Sequence, residues 1–189
     1  MGYNTAMNSR LFSKWMLVSA VLALFATLAW PSTAASQSGT LLRVVPQTAR
    51  ATTCGETLIT VRVEDVENLN AFSLTLRYDP AAVQVLEVEN GGFLEAGILE
   101  PANGIDPENG LARFGLAQLS GSEPKSGSGE LVRLRLSARQ AGLNSAIEID
   151  VENSELVHWP SALPIPFATE PGEVLTAGCQ GIYLPFVRR

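Results

Sequence analysis

The chain has 189 residues, 46% of them hydrophobic and 17% charged, with 19 Asp+Glu against 13 Lys+Arg and a net charge of −6. That balance argues against nucleic acid and anionic membrane surfaces as partners, since both select clustered cations. A single histidine, His158, also argues against multi-histidine metal sites and leaves a catalytic triad no alternative base.

Arg10 and Lys14 precede an uncharged apolar run from Trp15 to Trp30, followed by Pro31 and the small residues Ser32, Thr33, Ala34 and Ala35. This is the layout of a secretory signal peptide over residues 1–35. The 16-residue run is short of the roughly 20 that span a bilayer. Cleavage after Ala34 or Ala35 is therefore expected, with an uncleaved anchor as the alternative. It would remove two of the 13 basic residues and none of the 19 acidic ones, leaving a net charge of −8. The expected location is secreted, extracellular or at the cell surface, with no membrane span after cleavage. Residues 36–179 suit one domain with a sizeable core. In an exported protein Cys54 and Cys179 are expected to form a disulfide, two free thiols being the alternative. Such a bridge needs the two ends of the domain to be neighbours.

Short apolar runs bounded by turn residues then recur, with no well-capped helical pattern among them. Candidate strands are Thr40–Val45, Leu58–Val63, Ala71–Tyr78, Val83–Val88, Ala112–Ala117, Leu131–Ala138, Ala146–Val151 and Val174–Ala177. The segments Glu89–Gly92, Pro101–Gly110, Ser120–Gly129 and Pro160–Gly172 are rich in Gly, Pro, Asn and Ser and read as loops. Of these, Ser120–Gly129 reads as long and flexible. In Phe72–Tyr78 the alternation points Phe72, Leu74, Leu76 and Tyr78 inward, leaving Ser73, Thr75 and Arg77 outside. Pro80 then stops the ladder. Likewise Val132, Leu134, Leu136 and Ala138 oppose Arg133, Arg135 and Ser137, and Ile147, Ile149 and Val151 oppose Glu148, Asp150 and Glu152. One wet face per strand implies mainly antiparallel sheets. Phe72, Leu74, Leu76, Tyr78, Phe114, Leu134, Leu136, Ile147 and Ile149 form the expected core. The fold class is all-β, a two-sheet antiparallel sandwich of about nine strands.

The run from Leu69 to Val88, with its strand, Tyr78-Asp79-Pro80 turn and second strand, resembles the signature of cohesin domains. Other features arrive in the matching order: Leu41–Val45, Gly55 before Leu58–Val63, Gly129–Ala138, and Gly172 before the last strand. The resemblance covers Leu41 to Ala177. It implies a jelly-roll topology with the terminal strands side by side, in agreement with the cysteine pair. It also implies a non-catalytic module that binds a dockerin-type protein partner, commonly in polysaccharide breakdown. In cohesins of the cellulosomal kind the third strand exposes an Asn and an Asp; alignment on the Tyr-Asp-Pro turn puts Ala71 and Ser73 there.

If the strand order follows that resemblance, Ser73, Thr75 and Arg77 are flanked by Glu148, Asp150 and Glu152, with Arg113 beyond. That face would be flat and polar, acidic at one side and basic at the other, and would suit a protein partner. Carbohydrate is the alternative ligand, and its candidate contact is Trp159, the one tryptophan beyond the leader. His158 and Trp159 together read more simply as a packed loop cover. Asp106, Glu108 and Asn109 offer oxygen ligands for calcium, but their spacing fits an acidic turn better. No cofactor or metal is expected. The paired acids of Glu148 and Asp150 lie on one strand face and not across a cleft, so glycosidase chemistry is not expected. Gln180–Arg189 reads as a C-terminal tail.

Overall fold

The long strand β3, Glu56–Arg77, runs through both layers of the molecule. In the computed structural model, which describes residues 39–95, 97–99, 104–119 and 121–179, it is joined by eleven further strands. These are β1 (Thr40–Val45), β2 (Thr48–Thr52), β4 (Val83–Asn90), β5 (Gly97–Leu99), β6 (Gly104–Asp106) and β7 (Leu111–Gln118), then β8 (Lys125–Ala138), β9 (Asn144–Ile149), β10 (Glu155–His158), β11 (Phe167–Glu170) and β12 (Gly172–Ala177). The expected leader and tail lie outside the described residues.

Residues 56–69 of β3 pair with β1 on one side and β8 on the other, and β11 and β4 complete that sheet. Residues 69–77 pair instead with β7 on one side and β10, then β9, on the other. The two layers close as a jelly-roll sandwich. Pairing is antiparallel except for β1 with β11 and β12 with β2.

The residues of β3 show how one strand serves two sheets. Ile59, Val61 and Val63 are buried in the first half, and Phe72, Leu74 and Leu76 in the second. Strict alternation cannot connect an odd set to an even one. Between them Val63, Val66, Leu69 and Phe72 are all buried at intervals of three, while Asp65 and Asn68 take φ of 54° and 50°. Asn and Asp tolerate this left-handed region better than other side-chain-bearing residues. Their N–H groups donate to Ser128 Oγ (3.1 Å) and Ser126 Oγ (2.8 Å). The corner therefore explains two departures from expectation. Leu58–Val63 and Ala71–Tyr78 belong to one strand, and the Gly/Ser run before Leu131 is not a free loop over its second half. Lys125–Gly129 are instead the start of β8, paired with Val63–Leu69.

Every expected core residue is buried, and the rings of Phe72 and Phe114 lie 6.2 Å apart. Beyond Tyr78, Asp79 holds the turn by accepting the Ala81 N–H at 2.8 Å. Gly110 closes against it, donating no bulk where a Cβ would come 2.2 Å from the Tyr78 carbonyl oxygen. Five strands outside the candidates are short: β2, β5, β6, β10 and β11 have three to five residues each, too few for alternation to stand out.

The end of β9 corrects the reading of Ala146–Val151. The strand stops at Ile149, and Val151–Asn153 form one turn of 3₁₀ helix with Asp150 as its N-cap. Val151 is accordingly exposed, at 52%, and Asp150 is buried. The Asp150 carboxylate accepts from Asn153 Nδ2 (2.9 Å), Asn153 N (3.3 Å) and Arg77 Nε (2.9 Å). Those bonds, first from Asn153 and then from Arg77, hold its pKa below the ordinary carboxylate value against the opposing effect of burial. The turn also covers Thr75, which is buried and not outward: its Oγ1 donates to the Asn153 carbonyl (2.9 Å) and its N–H to Ser154 Oγ (3.0 Å).

Parallel pairing of β2 with β12 places Cys54 beside Cys179, with Cα atoms 5.7 Å apart, and the two are bridged. A disulfide across 125 residues stabilises by about 4–5 kcal/mol on the chain-entropy account. The double variant Cys54→Ser/Cys179→Ser should lose stability of that order in a denaturant titration; an unchanged midpoint would show that the ladder alone holds the ends together. Asp150→Asn should cost about 1 kcal/mol at pH 7, a modest figure because Arg77 is half exposed and screened. A carboxylate with a lowered native pKa stabilises above its unfolded value of about 4 and loses that effect as pH falls through the native value. The difference between wild type and Asp150→Asn should therefore be full at pH 7 and shrink below about pH 4; urea midpoints that differ equally at both pH values would contradict this origin.

Candidate functional site

The outer face of the β10/β9–β3–β7 sheet can be read row by row from its register, because paired residues on one face stand side by side. Val157, Ala71 and Ala117 make one row, and Glu155, Ser73 and Gly115 the next. Thr75 then pairs with Arg113, and Glu148, Arg77 and Leu111 make the last row. The centre of the face is thus a strip of small residues, Ala71, Ser73 and Ala117 half-buried and Gly115 buried, with Glu148 and Glu155 on one flank and Arg77 and Arg113 towards the other. Flat, small-residue sheet centres let another chain approach the backbone closely.

Of the seven residues expected on this face, Ser73, Thr75, Arg77, Arg113 and Glu148 fall in its rows, Glu152 lies instead on the 3₁₀ turn beyond the end of β9, and Asp150 has another task. Ser73 is half-buried at the centre; Arg77, Arg113, Glu148 and Glu152 are exposed. Thr75 lies in the expected row but beneath the 3₁₀ turn. Asp150 is withdrawn altogether, as a buried clamp between that turn and Arg77. On that flank Glu155, from the unforeseen strand β10, stands opposite Ser73. Glu155 and Val157 do alternate with buried Leu156, but four residues hardly distinguish a strand from a loop.

Charges on the two sheets are managed differently. On the outer face of the β1–β3–β8–β4 sheet, Arg43 pairs with Glu64 and Glu170, Arg133 with Glu130, and Arg135 with both Glu56 and Glu87. Arg62 and Glu89 in the same sheet form no ion pair among the described residues. On the other face Arg77 is held by Asp150, whereas Arg113, Glu148, Glu152 and Glu155 form no ion pair among the described residues. Charges left open around a small-residue strip suit a complementary protein surface.

The remaining candidates are placed elsewhere. His158 ends β10 and is not in a loop; its Nδ1 lies 2.9 Å from Ser161 Oγ. Trp159, next along, is 52% exposed and so does not serve as a packed cover. Asp106 accepts from Asn109 N (3.2 Å) and Nδ2 (2.8 Å), which lowers its pKa. Its carboxylate closes an acidic turn, as the spacing implied. No helix among the described residues is long and apolar enough to cross a membrane.

Several solved structures share this architecture. A non-cellulosomal cohesin from the archaeon Archaeoglobus fulgidus is 16% identical, covering 74% of this chain and 92% of its own, with a TM-score of 0.60. A type II cohesin domain from the cellulosome of Acetivibrio cellulolyticus is 16% identical, covering 72% and 95%, at 0.61. A type I cohesin–dockerin complex from Clostridium thermocellum matches at 20% identity, covering 75% and 94%, at 0.58. At such identities the likeness concerns the fold. A search of the curated proteins found no match. The family model for the cohesin domain matches residues 43–157, more than half of the chain, and on that match together with the shared sandwich the chain belongs to the cohesin domain family.

Proposed function

We propose that this protein is a non-catalytic, exported docking module that binds a dockerin-type protein through the outer face of the β10/β9–β3–β7 sheet. The observation that carries the reading is the difference between the two faces: on one, Arg43, Arg133 and Arg135 are engaged by neighbouring glutamates, and the other has Glu148, Glu155 and Arg113 without an ion pair among the described residues, around Ala71, Ser73, Gly115 and Ala117. The dockerin complexes among the similar structures support the partner class. The apolar run before residue 36 supports export, and a role in polysaccharide breakdown would follow from the enzymes such partners accompany.

Small residues at Ala71 and Ser73 bear on how the partner is chosen. They offer little side-chain hydrogen bonding, so orientation falls to the charged flanks. A partner with basic residues facing β9 and β10 and acidic residues facing Arg77 and Arg113 would be steered into one register. Opposed charges act mainly on the association rate, and their effect is screened by salt.

The test is the association rate of the full chain with purified dockerin modules from the same genome, measured at low and high salt. Reversal of Glu148 and Glu155 to Lys should slow association about tenfold or more at low salt and flatten the salt dependence. Reversal of Arg133 and Arg135 to Glu, on the opposite sheet, should leave the rate unchanged. Equal effects from the two pairs, or none from the first, would remove the assignment of this face; binding to no dockerin module would remove the partner class.

A further inference from the structure

The proposed docking face is small. Three strands about 4.8 Å apart, with outward residues about 6.8 Å apart along each, give the rows from Val157 to Glu148 a projected area of roughly 400 Å². A stable protein contact buries about 800 Å² on each side, so a partner held there must reach past an edge of the sheet. The open cleft at the β3 corner, lined by Asp65, Glu67 and His158 among others, contains no residue of those rows. A second cleft, of about 350 Å³, does: Arg113 lines it with Leu86 and Val88 of β4, Gly104 and Ile105 of β6, and Phe114.

This cleft lies between the edges of the two sheets, because β4 pairs only with β8 and β6 only with β7 among the described residues. On β4 the ladder slips: Val85 pairs with Leu136 and Glu87 with Arg135, leaving Leu86 as the extra residue of a bulge. A bulge re-aims a side chain out of the regular alternation, and Leu86 stands 39% exposed. On β6, Gly104 pairs with Arg113, and a Cβ there would meet nothing within 4 Å. The row through Arg113 therefore ends in open space. Val88, Ile105 and buried Phe114 give the cleft an apolar floor continuous with the core.

Charge selects the occupant. Glu87, which also lines the cleft, is engaged by Arg135, whereas Arg113 forms no ion pair among the described residues. Asp106, the carboxylate on which Arg113 acts electrostatically, is bonded instead to Asn109. A cationic group would meet an uncompensated guanidinium. A wholly apolar one would strip water from it without replacement, and a bare anion would leave Leu86 and Val88 wet. A carboxylate carried beside an aliphatic or aromatic side chain meets both requirements, since a guanidinium can bind a carboxylate through two parallel hydrogen bonds.

We propose that the docking partner inserts an apolar side chain flanked by an acidic one into this cleft, with the carboxylate on Arg113 and the apolar group against Leu86, Val88 and Ile105. The inference rests on the assignment of the sheet face as the docking surface and adds a chemical requirement on the partner's sequence. Contacts in the cleft act on dissociation, whereas the glutamates of β9 and β10 act on association.

Association and dissociation rates of the full chain with purified dockerin modules from the same genome test this. Leu86→Ser should speed dissociation about fivefold or more and leave association at low salt unchanged. Leu58→Ser, at an exposed leucine of the other sheet, should change neither rate. Arg113→Gln should speed dissociation about tenfold, and Arg113→Lys less, because an ammonium keeps the charge without the fork. When the dockerin's Asp and Glu residues are replaced one at a time by their amides, one of them, beside an apolar residue, should lose its effect in the Arg113→Gln background. Unchanged dissociation in Leu86→Ser, or no partner carboxylate coupled to Arg113, would overturn the proposal; if the Glu148/Glu155 reversal still slows association in that case, the docking face stands without it. Binding to no dockerin module would remove both.

Discussion

The structure depends on the corner in β3, where a strand that begins in one sheet ends in the other. A period of two cannot bury Ile59, Val61 and Val63 and also Phe72, Leu74 and Leu76. The chain resolves this by burying Val66 and Leu69 between them and turning Asp65 and Asn68 into the left-handed region. Two freed N–H groups at the corner then need acceptors, because unpaired backbone donors are costly. The hydroxyls of Ser126 and Ser128 provide them. A segment whose composition indicates flexibility is thereby drawn into the sheet.

Placement of the proposed docking face follows from that corner. Downstream of it, the parity of β3 puts Ser73 and Arg77 on the outer face and aligns them with Glu155 and Glu148. At the corner itself, Asp65 and Glu67 line an open cleft and Asn68 anchors the Trp159 turn. The Asp150 clamp has a complementary role. By holding Arg77 with a buried carboxylate and covering Thr75, the 3₁₀ turn fixes the edge of the proposed docking face. This leaves the glutamates around it open to a partner. The opposite sheet, where Arg135 bridges Glu56 and Glu87, shows the alternative use of the same residue types, as internal cross-strand pairing.

Much of this was legible in the sequence wherever alternation was long. Phe72–Tyr78 and Val132–Ala138 each carry four inward positions, and all of these are buried. The class, the core and the cysteine pairing followed. What was not legible depended on single backbone changes. Asp150 continues the alternation of Glu148 and Glu152 in one dimension, yet the cap it forms for Val151–Asn153 rotates it inward. Thr75 keeps its expected parity and is buried only because a neighbouring segment lies over it, a tertiary fact without a local signal. Glu155 was missed because β10 is four residues long, and Trp159 looked like a cover because exposure of a large ring is set by the turn that carries it.

If the β10/β9–β3–β7 face is the docking surface, chemical-shift mapping of the isotopically labelled chain against a bound dockerin module will locate the contact there. Shifts should concentrate at Ser73, Arg77, Arg113, Gly115, Glu148 and Glu155, leaving Leu58, Arg133 and Arg135 undisturbed. Shifts centred on the β1–β3–β8–β4 face, with the first group unmoved, would contradict it.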